Sequence, residues 1–274
     1  MADLHLDLDG ARIAYDLTGP AGAGTTERVP GASTVVVAHG LTASRAGDDA
    51  GEVFDWSPLA ERHRVVRYDA RGHGASTGSP DPASYAWPAL ADDLLALLDA
   101  VSPDAPVDAV GASMGTATIL WAATRRPERF RRLVLTIPPT AWATRAAQAD
   151  GYEQGALAVE RLGLATWVRA GAAQPQIPVL AAGGFPRGDA GPAVPEALLP
   201  SALRGAALSD LPDAGALAAL PHPALVLPWT TDPGHPVSTA ERLAELLPAA
   251  VLEVADTPDA IRGWGRRAAG FLSA

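Results

Sequence analysis

Apolar residues recur along this chain at two periods, and the switches between them mark out its elements. Leu4, Leu6 and Leu8 alternate with His5 and Asp7, Asp9-Gly10 supplies a turn, and a second alternating run covers residues 11–15. That pattern predicts a β-hairpin with His5 on its solvent face. Residues 33–38, 64–68, 107–110, 132–137, 224–227 and 250–254 are short, nearly continuous apolar runs rich in Val and Leu, as expected of strands buried on both faces. Residues 19–31 read as loop. Leu90, Leu94, Leu95, Leu98 and Val101 repeat at helical spacing, with Asp92, Asp93 and Asp99 on the other side and Ser102-Pro103 as the stop. Further helices are predicted over 56–62, from Thr116 up to Pro127, and over 258–272. Ser238-Thr239-Ala240-Glu241 reads as a capping box opening another. Alternating β and α elements imply an α/β fold, a mostly parallel, doubly wound sheet with helices on both faces.

The rhythm breaks at Pro138-Pro139. Residues 139–222 are rich in Ala, Gly and Pro, contain helical pieces at 152–162 and 164–168, and offer no strand with its own helix. This segment reads as a helical lid inserted into a core made of 1–138 and 223–274. It is expected to fold over the C-terminal edge of the sheet, with the largest apolar pocket between it and Ser113. Its aromatics, Trp142, Tyr152, Trp167 and Phe185, either form its own core or line that pocket.

Composition narrows the partners. A net charge of −10 opposes nucleic acid and anionic membrane, both of which need a basic patch. All 21 basic residues are Arg, which together with abundant Ala points to genomic base composition and carries no function. No apolar run approaches a membrane span and the N-terminal residues have no signal-peptide pattern, so the expectation is a cytoplasmic protein acting on a small molecule. The absence of Cys removes disulfides and thiolate chemistry. No cofactor or metal is implied, because the chain has neither a phosphate-binding glycine loop nor a His/carboxylate set at ligand spacing. Oligomeric state cannot be read from the sequence.

The candidate chemistry centres on Gly111-Ala112-Ser113-Met114-Gly115, which follows an apolar run and leads into a helix. In a strand-turn-helix elbow both glycines are needed where a side chain would strike a neighbouring element, and the serine projects at a helix N-terminus. Two more loops end predicted strands: His39-Gly40-Leu41 and Asp69-Ala70-Arg71-Gly72-His73-Gly74. A fourth, Asp232-Pro233-Gly234-His235-Pro236, comes late. In that order the loops resemble the α/β-hydrolase superfamily over essentially the whole chain. The resemblance implies Ser113 as nucleophile, the Leu41 and Met114 amides as oxyanion hole, and Asp232 as triad acid. His39 and His73 match structural positions of the family's loops.

One expected residue is missing. The family places its histidine after the last strand, whereas no His follows His235. Asp232-Pro233-Gly234-His235 has the Pro and Gly placement of a type II turn, which would bring its ends within about 7 Å and let Asp232 orient His235 from within one loop. His235 is then the candidate base, or else it merely fills the loop. His5 and His63 read as surface residues, and His222 has no assigned role. Three functions stay open: a serine hydrolase of a small, largely apolar ester or lactone, a non-catalytic ligand-binding relative, and a fold-related lyase or cyclase.

Overall fold

The computed structural model describes residues 3–20, 33–51, 53–187 and 191–274; most of the loop expected over 19–31 lies outside them. The hairpin forms from β1 (Leu4–Leu8) and β2 (Ala11–Thr18). The parallel strands are β3 (Thr34–Ala38), β4 (Arg64–Tyr68), β5 (Val107–Ala112), β6 (Phe130–Thr136), β7 (Ala224–Leu227) and β8 (Ala250–Leu252). They build one sheet in the order β1-β2-β4-β3-β5-β6-β7-β8, in which only the β1–β2 and β2–β4 pairings are antiparallel. β5 is central and all six of its residues are buried.

The continuous apolar runs arise because each strand serves two cores. Val36, Val66, Ala109, Leu133 and Leu135 pack on the side covered by α2 (Trp87–Val101), α3 (Met114–Arg125) and α9 (Val237–Leu246). Val35, Val37, Val65, Val110 and Val134 pack on the other side with Trp264, Ala268 and Leu272 of α11 (Trp264–Ser273). Two predicted details differ. Helix α9 starts at Val237 behind Pro236, whose φ of −66° and ψ of 137° lead the chain straight into the helix, so Ser238 lies inside the first turn and forms no cap bond. The closing helix is broken at Gly263 into α10 (Pro258–Arg262) and α11.

The segment between β6 and β7 carries α4 (Arg145–Leu162), α5 (Leu164–Ala172), α6 (Pro178–Ala182), α7 (Leu199–Ala207) and α8 (Ala214–Ala218). It has a small core of Ala156, Val159, Val194, Leu199, Ala202 and Leu203, against which Tyr152 and Trp167 pack. Trp142 packs on the main core and Phe185 is buried on the sheet's other side. Backbone bonds from Ala193 to Thr42 (2.8 Å) and from Gly74 to Ala193 (2.7 Å) tie the segment to the loops after β3 and β4. The Val179 amide reaches Thr231 Oγ1 beyond β7 (3.2 Å).

Two cavities stand out among the described residues, and Ser113 lines neither, so the pocket expected between this segment and Ser113 is not among them. One, of about 490 Å³, lies against β3, β4 and α1 (Arg45–Gly51), lined by Val37, His39, Arg45, Phe54, Trp56 and Tyr68 among others, and the other, of about 530 Å³, lies between Pro80 and Pro82 and the segment's Val159, Glu196, Pro200 and Arg204.

Arg145 holds the base of the segment. Its guanidinium lies 4.2 Å from the ring centre of Trp87 and 5.4 Å from that of Tyr152. It donates to the carbonyls of Ser209 (2.6 Å) and Ala206 and to Thr140 Oγ1 (3.2 Å). No carboxylate is within ion-pair reach among the described residues, and burial lowers its pKa from the usual arginine value. Arg145→Met should therefore cost about 2–4 kcal/mol in urea unfolding, because it strands buried carbonyls and removes the stacked cation. A loss below about 0.5 kcal/mol, the scale of an ordinary surface change, would show that Arg145 is not the tie.

Candidate active site

Ser113 sits between the last residue of β5 and the first of α3, with φ 52° and ψ −111°. An L-residue pays for a positive φ, so the surroundings must hold it there. They do so by close approach. A Cβ at Gly115 would lie 2.1 Å from the Ala38 carbonyl oxygen of β3, and one at Gly111 would lie 2.6 Å from Gly115 carbonyl carbon. The Ser113 amide donates to Thr136 of β6 (3.1 Å), and the hydroxyls of Thr116 and Thr136 both donate to the Gly111 carbonyl (2.8 and 2.9 Å). Thr42, Ile137 and Thr231, just beyond β3, β6 and β7, also have positive φ. Backbone strain thus collects along the strand ends that surround Ser113.

The loop after β3 lies alongside: a Cβ on Gly40 would be 3.6 Å from Ser113 Cβ. Leu41 follows Gly40, and Met114 is the first residue of α3. Among the described residues neither the Leu41 nor the Met114 amide donates to a backbone acceptor.

Beyond β7 the chain turns through Asp232-Pro233-Gly234-His235. The His235 amide returns to the Asp232 carbonyl (3.2 Å), but Gly234 has no positive φ. The turn is therefore not the type II form expected from the sequence. The Asp232 side chain braces it as well, its Oδ1 accepting the Gly234 amide (2.9 Å). Asp232 Oδ2 accepts His235 Nδ1–H (2.7 Å) and Trp229 Nε1–H (2.8 Å). A carboxylate can only accept, which leaves His235 Nε2 as an acceptor for the Ser113 hydroxyl at 2.8 Å. Burial alone would raise the Asp232 pKa, but hydrogen bonds from His235, Trp229 and Gly234 outweigh it and hold the carboxyl below the usual range. A hydroxyl bonded to a neutral imidazole, itself bonded to a buried carboxylate, can lose its proton during attack on an electrophile.

The other histidines are elsewhere. His39 donates from Nδ1 to the Gly40 carbonyl (2.8 Å) and accepts the Ala70 amide at Nε2 (2.9 Å), tying together the loops after β3 and β4. His73 lies against it, ring centres 5.2 Å apart and tilted by 50°, and donates to the Arg71 carbonyl (2.8 Å). His5 is exposed as expected. His63 is not a surface residue: it is buried between Ser33 Oγ (2.7 Å) and Ser273 Oγ (3.2 Å), bridging a strand's start to the C-terminal helix. His222 donates to the Pro127 carbonyl (2.9 Å), remote from Ser113 in role.

A family model for the alpha/beta hydrolase fold matches residues 33–157, the stretch from β3 through β6 into α4. A solved hydrolase from Pseudomonas aeruginosa PA01 superposes with a TM-score of 0.78 at 26% identity, covering 99% of this chain and 98% of that one. The chain has the α/β-hydrolase fold. Among curated proteins, a probable oxidoreductase, EphD, of Mycobacterium tuberculosis is 34% identical over 119 residues, 43% of this chain. This chain spans only 18% of the length of EphD. The 3-oxoadipate enol-lactonase 2 of Acinetobacter baylyi is 34% identical over 105 residues, 38% of this chain and 36% of its own.

Against the superfamily pattern, the segment after β8 has a different job here. After β8, Ala255 pairs with the chain beyond β7, accepting from Thr230 (3.0 Å) and donating to Pro228 (2.9 Å). Sequence reading missed Trp229, Thr116 and Thr136. A Trp three residues before the candidate acid was the one available signal, and nothing in periodicity distinguishes it from a core aromatic. No helix among the described residues is long and apolar enough to cross a membrane.

The two buried imidazoles generate a pH prediction. Burial lowers the pKa of His39, and burial together with His39 pushes that of His73 down to about 3. The folded protein keeps both neutral while the unfolded chain protonates them below about 6.5. The unfolded state then binds more protons between that pH and about 3, so stability rises with pH in this window and falls as acid is added. Urea midpoints from pH 7 to pH 4 should show this decline, and His73→Asn should flatten it. An unchanged slope in His73→Asn would mean that His73 is charged in the folded state.

Proposed function

We propose that this chain is a serine hydrolase of a small, largely apolar carboxylic ester or lactone. The observation that carries the reading is the unbroken chain of hydrogen bonds from Ser113 through His235 to Asp232, at 2.8 and 2.7 Å. The similarity to an enol-lactonase supports a lactone or ester over other electrophiles.

In this mechanism Ser113 Oγ forms a bond to the substrate carbonyl carbon while His235 Nε2 takes the hydroxyl proton. The carbonyl π pair moves onto oxygen, where the Leu41 and Met114 amides and the N-terminus of α3 stabilise it. Collapse breaks the bond to the alkoxy oxygen, which leaves with the proton from His235. In a lactone that oxygen stays tethered to the acyl group. Water then attacks the acyl-serine with His235 again as base, releasing acid and restoring Ser113. Asp232 keeps Nδ1 protonated, so that Nε2 is the nitrogen that faces serine.

A fluorophosphonate probe should label one residue, Ser113, located by peptide mass. Turnover of p-nitrophenyl acetate should fall about 10³-fold or more in Ser113→Ala and comparably in His235→Ala, because members of one catalytic unit are not additive. Wild-type kcat/KM should decline on the acidic side as the imidazole is protonated. Intact turnover in Ser113→Ala, or absence of labelling, would return the chain to the ligand-binding reading.

A further inference from the structure

The acid of the site has a second donor that belongs to no part of the triad. Trp229 Nε1–H donates to Asp232 Oδ2, the same oxygen that holds His235 Nδ1–H. The indole is buried, 4% exposed, and its ring meets the His235 ring edge to face at 6.4 Å. Its own position is fixed from two sides. Its backbone pairs with Ala255 in an isolated parallel bridge, and its ring stacks on Phe54 (5.9 Å, 10° between planes) and Trp264 (5.8 Å, 10°). Phe54 stacks in turn on Trp56 (5.8 Å, 4°).

This arrangement has a chemical consequence. In the superfamily the acid and the histidine stand on separate loops, each steadied by its own strand. Here both stand on one turn of four residues, which the Asp232 side chain also braces through the Gly234 amide. A carboxylate that both braces a turn and orients a base needs an anchor outside the turn. We infer that Trp229 is a positioning residue that fixes the Asp232 carboxylate and shares its Oδ2 charge, and that the aromatic stack from Trp56 to Trp264 serves to hold the indole N–H in place.

The inference rests on the hydrolase reading for its kinetic consequence and on geometry alone for its spectroscopic one. The titratable groups facing Asp232 are His235 on the same turn and Tyr152 of α4, whose phenol feels the carboxylate across the cleft. Trp229→Phe keeps a stacking ring and removes only the donor. Oδ2 then carries more charge toward His235 and is freer to rotate. The expected result is a fall in kcat of about 10-fold or more with little change in KM, the scale of one charge-assisted hydrogen bond. The acid limb of the pH–rate profile should move to higher pH, because the more concentrated carboxylate charge favours the imidazolium. Phe54→Leu, which thins the stack without removing the donor, should lower Tm and move the limb in the same direction but less far.

The proton between His235 Nδ1 and Asp232 should give a far-downfield NMR signal, identified by its loss in His235→Gln, and that signal should move in Trp229→Phe. This readout needs no turnover, so failure of the hydrolase reading and failure of the Trp229 inference are told apart. If Trp229→Phe does not fold, the Trp229 indole proton of the folded protein must shift in Asp232→Asn. A stationary His235 signal, a stationary indole signal, or a pH limb that moves equally in Phe54→Leu would overturn the inference.

Discussion

The structure depends on how closely α3 approaches β3. With the Ala38 carbonyl 2.1 Å from where a Cβ of Gly115 would stand, the first turn of α3 is pressed against the strand beside it. That approach forces the chain between β5 and α3 to reverse in one residue, and Ser113 absorbs the reversal at φ 52°. A serine so held cannot relax into the helix or the strand. Its hydroxyl stands at a helix N-terminus, next to the loop from β3 and above the centre of the sheet.

The neighbouring loops follow from the same constraint. β5 lies between β3 and β6, so the loops leaving those strands flank Ser113, and β7 is one strand farther. Reaching Ser113 from beyond β7 takes a turn that bends back across β6, and Asp232 braces it through the Gly234 amide while holding His235. The Thr140 amide donates to the Gly234 carbonyl (3.2 Å), so the turn also rests on the chain leaving β6. Arg145 bonds to Thr140 in turn, which links the loop holding Asp232 and His235 to the helical segment.

The loops after β3 and β4 are stiffened by a different device. The His39 imidazole bridges them, Asp69 accepts the amides of Arg45 (2.9 Å) and Ala75 (2.9 Å), and Arg45 ties Asp69 to Asp16 of β2. These charges are largely desolvated, so their worth lies in fixing the loops more than in net stability. What they fix is the course of the chain into Gly40 and Leu41, next to Ser113.

Much of this was written in local order. Alternating or continuous apolar runs gave the strands, because a residue's face in a sheet depends only on its parity. The elbow was legible because its glycines report steric contacts that any copy of the turn must make. The turn holding Asp232 and His235 was legible as a turn, since its four residues are neighbours in the chain, though its type was not: the side chain of Asp232 braces it without a positive φ at Gly234. Tertiary structure alone decided the rest. The 2.8 Å between His235 and Ser113 spans 122 residues of sequence and depends on strand order, which no local pattern encodes. The same holds for Trp229, whose indole is a core aromatic by periodicity and a hydrogen-bond donor only by where the stack places it. Burial of His63 was likewise set by which surfaces meet, a property of the folded chain and not of any window along it.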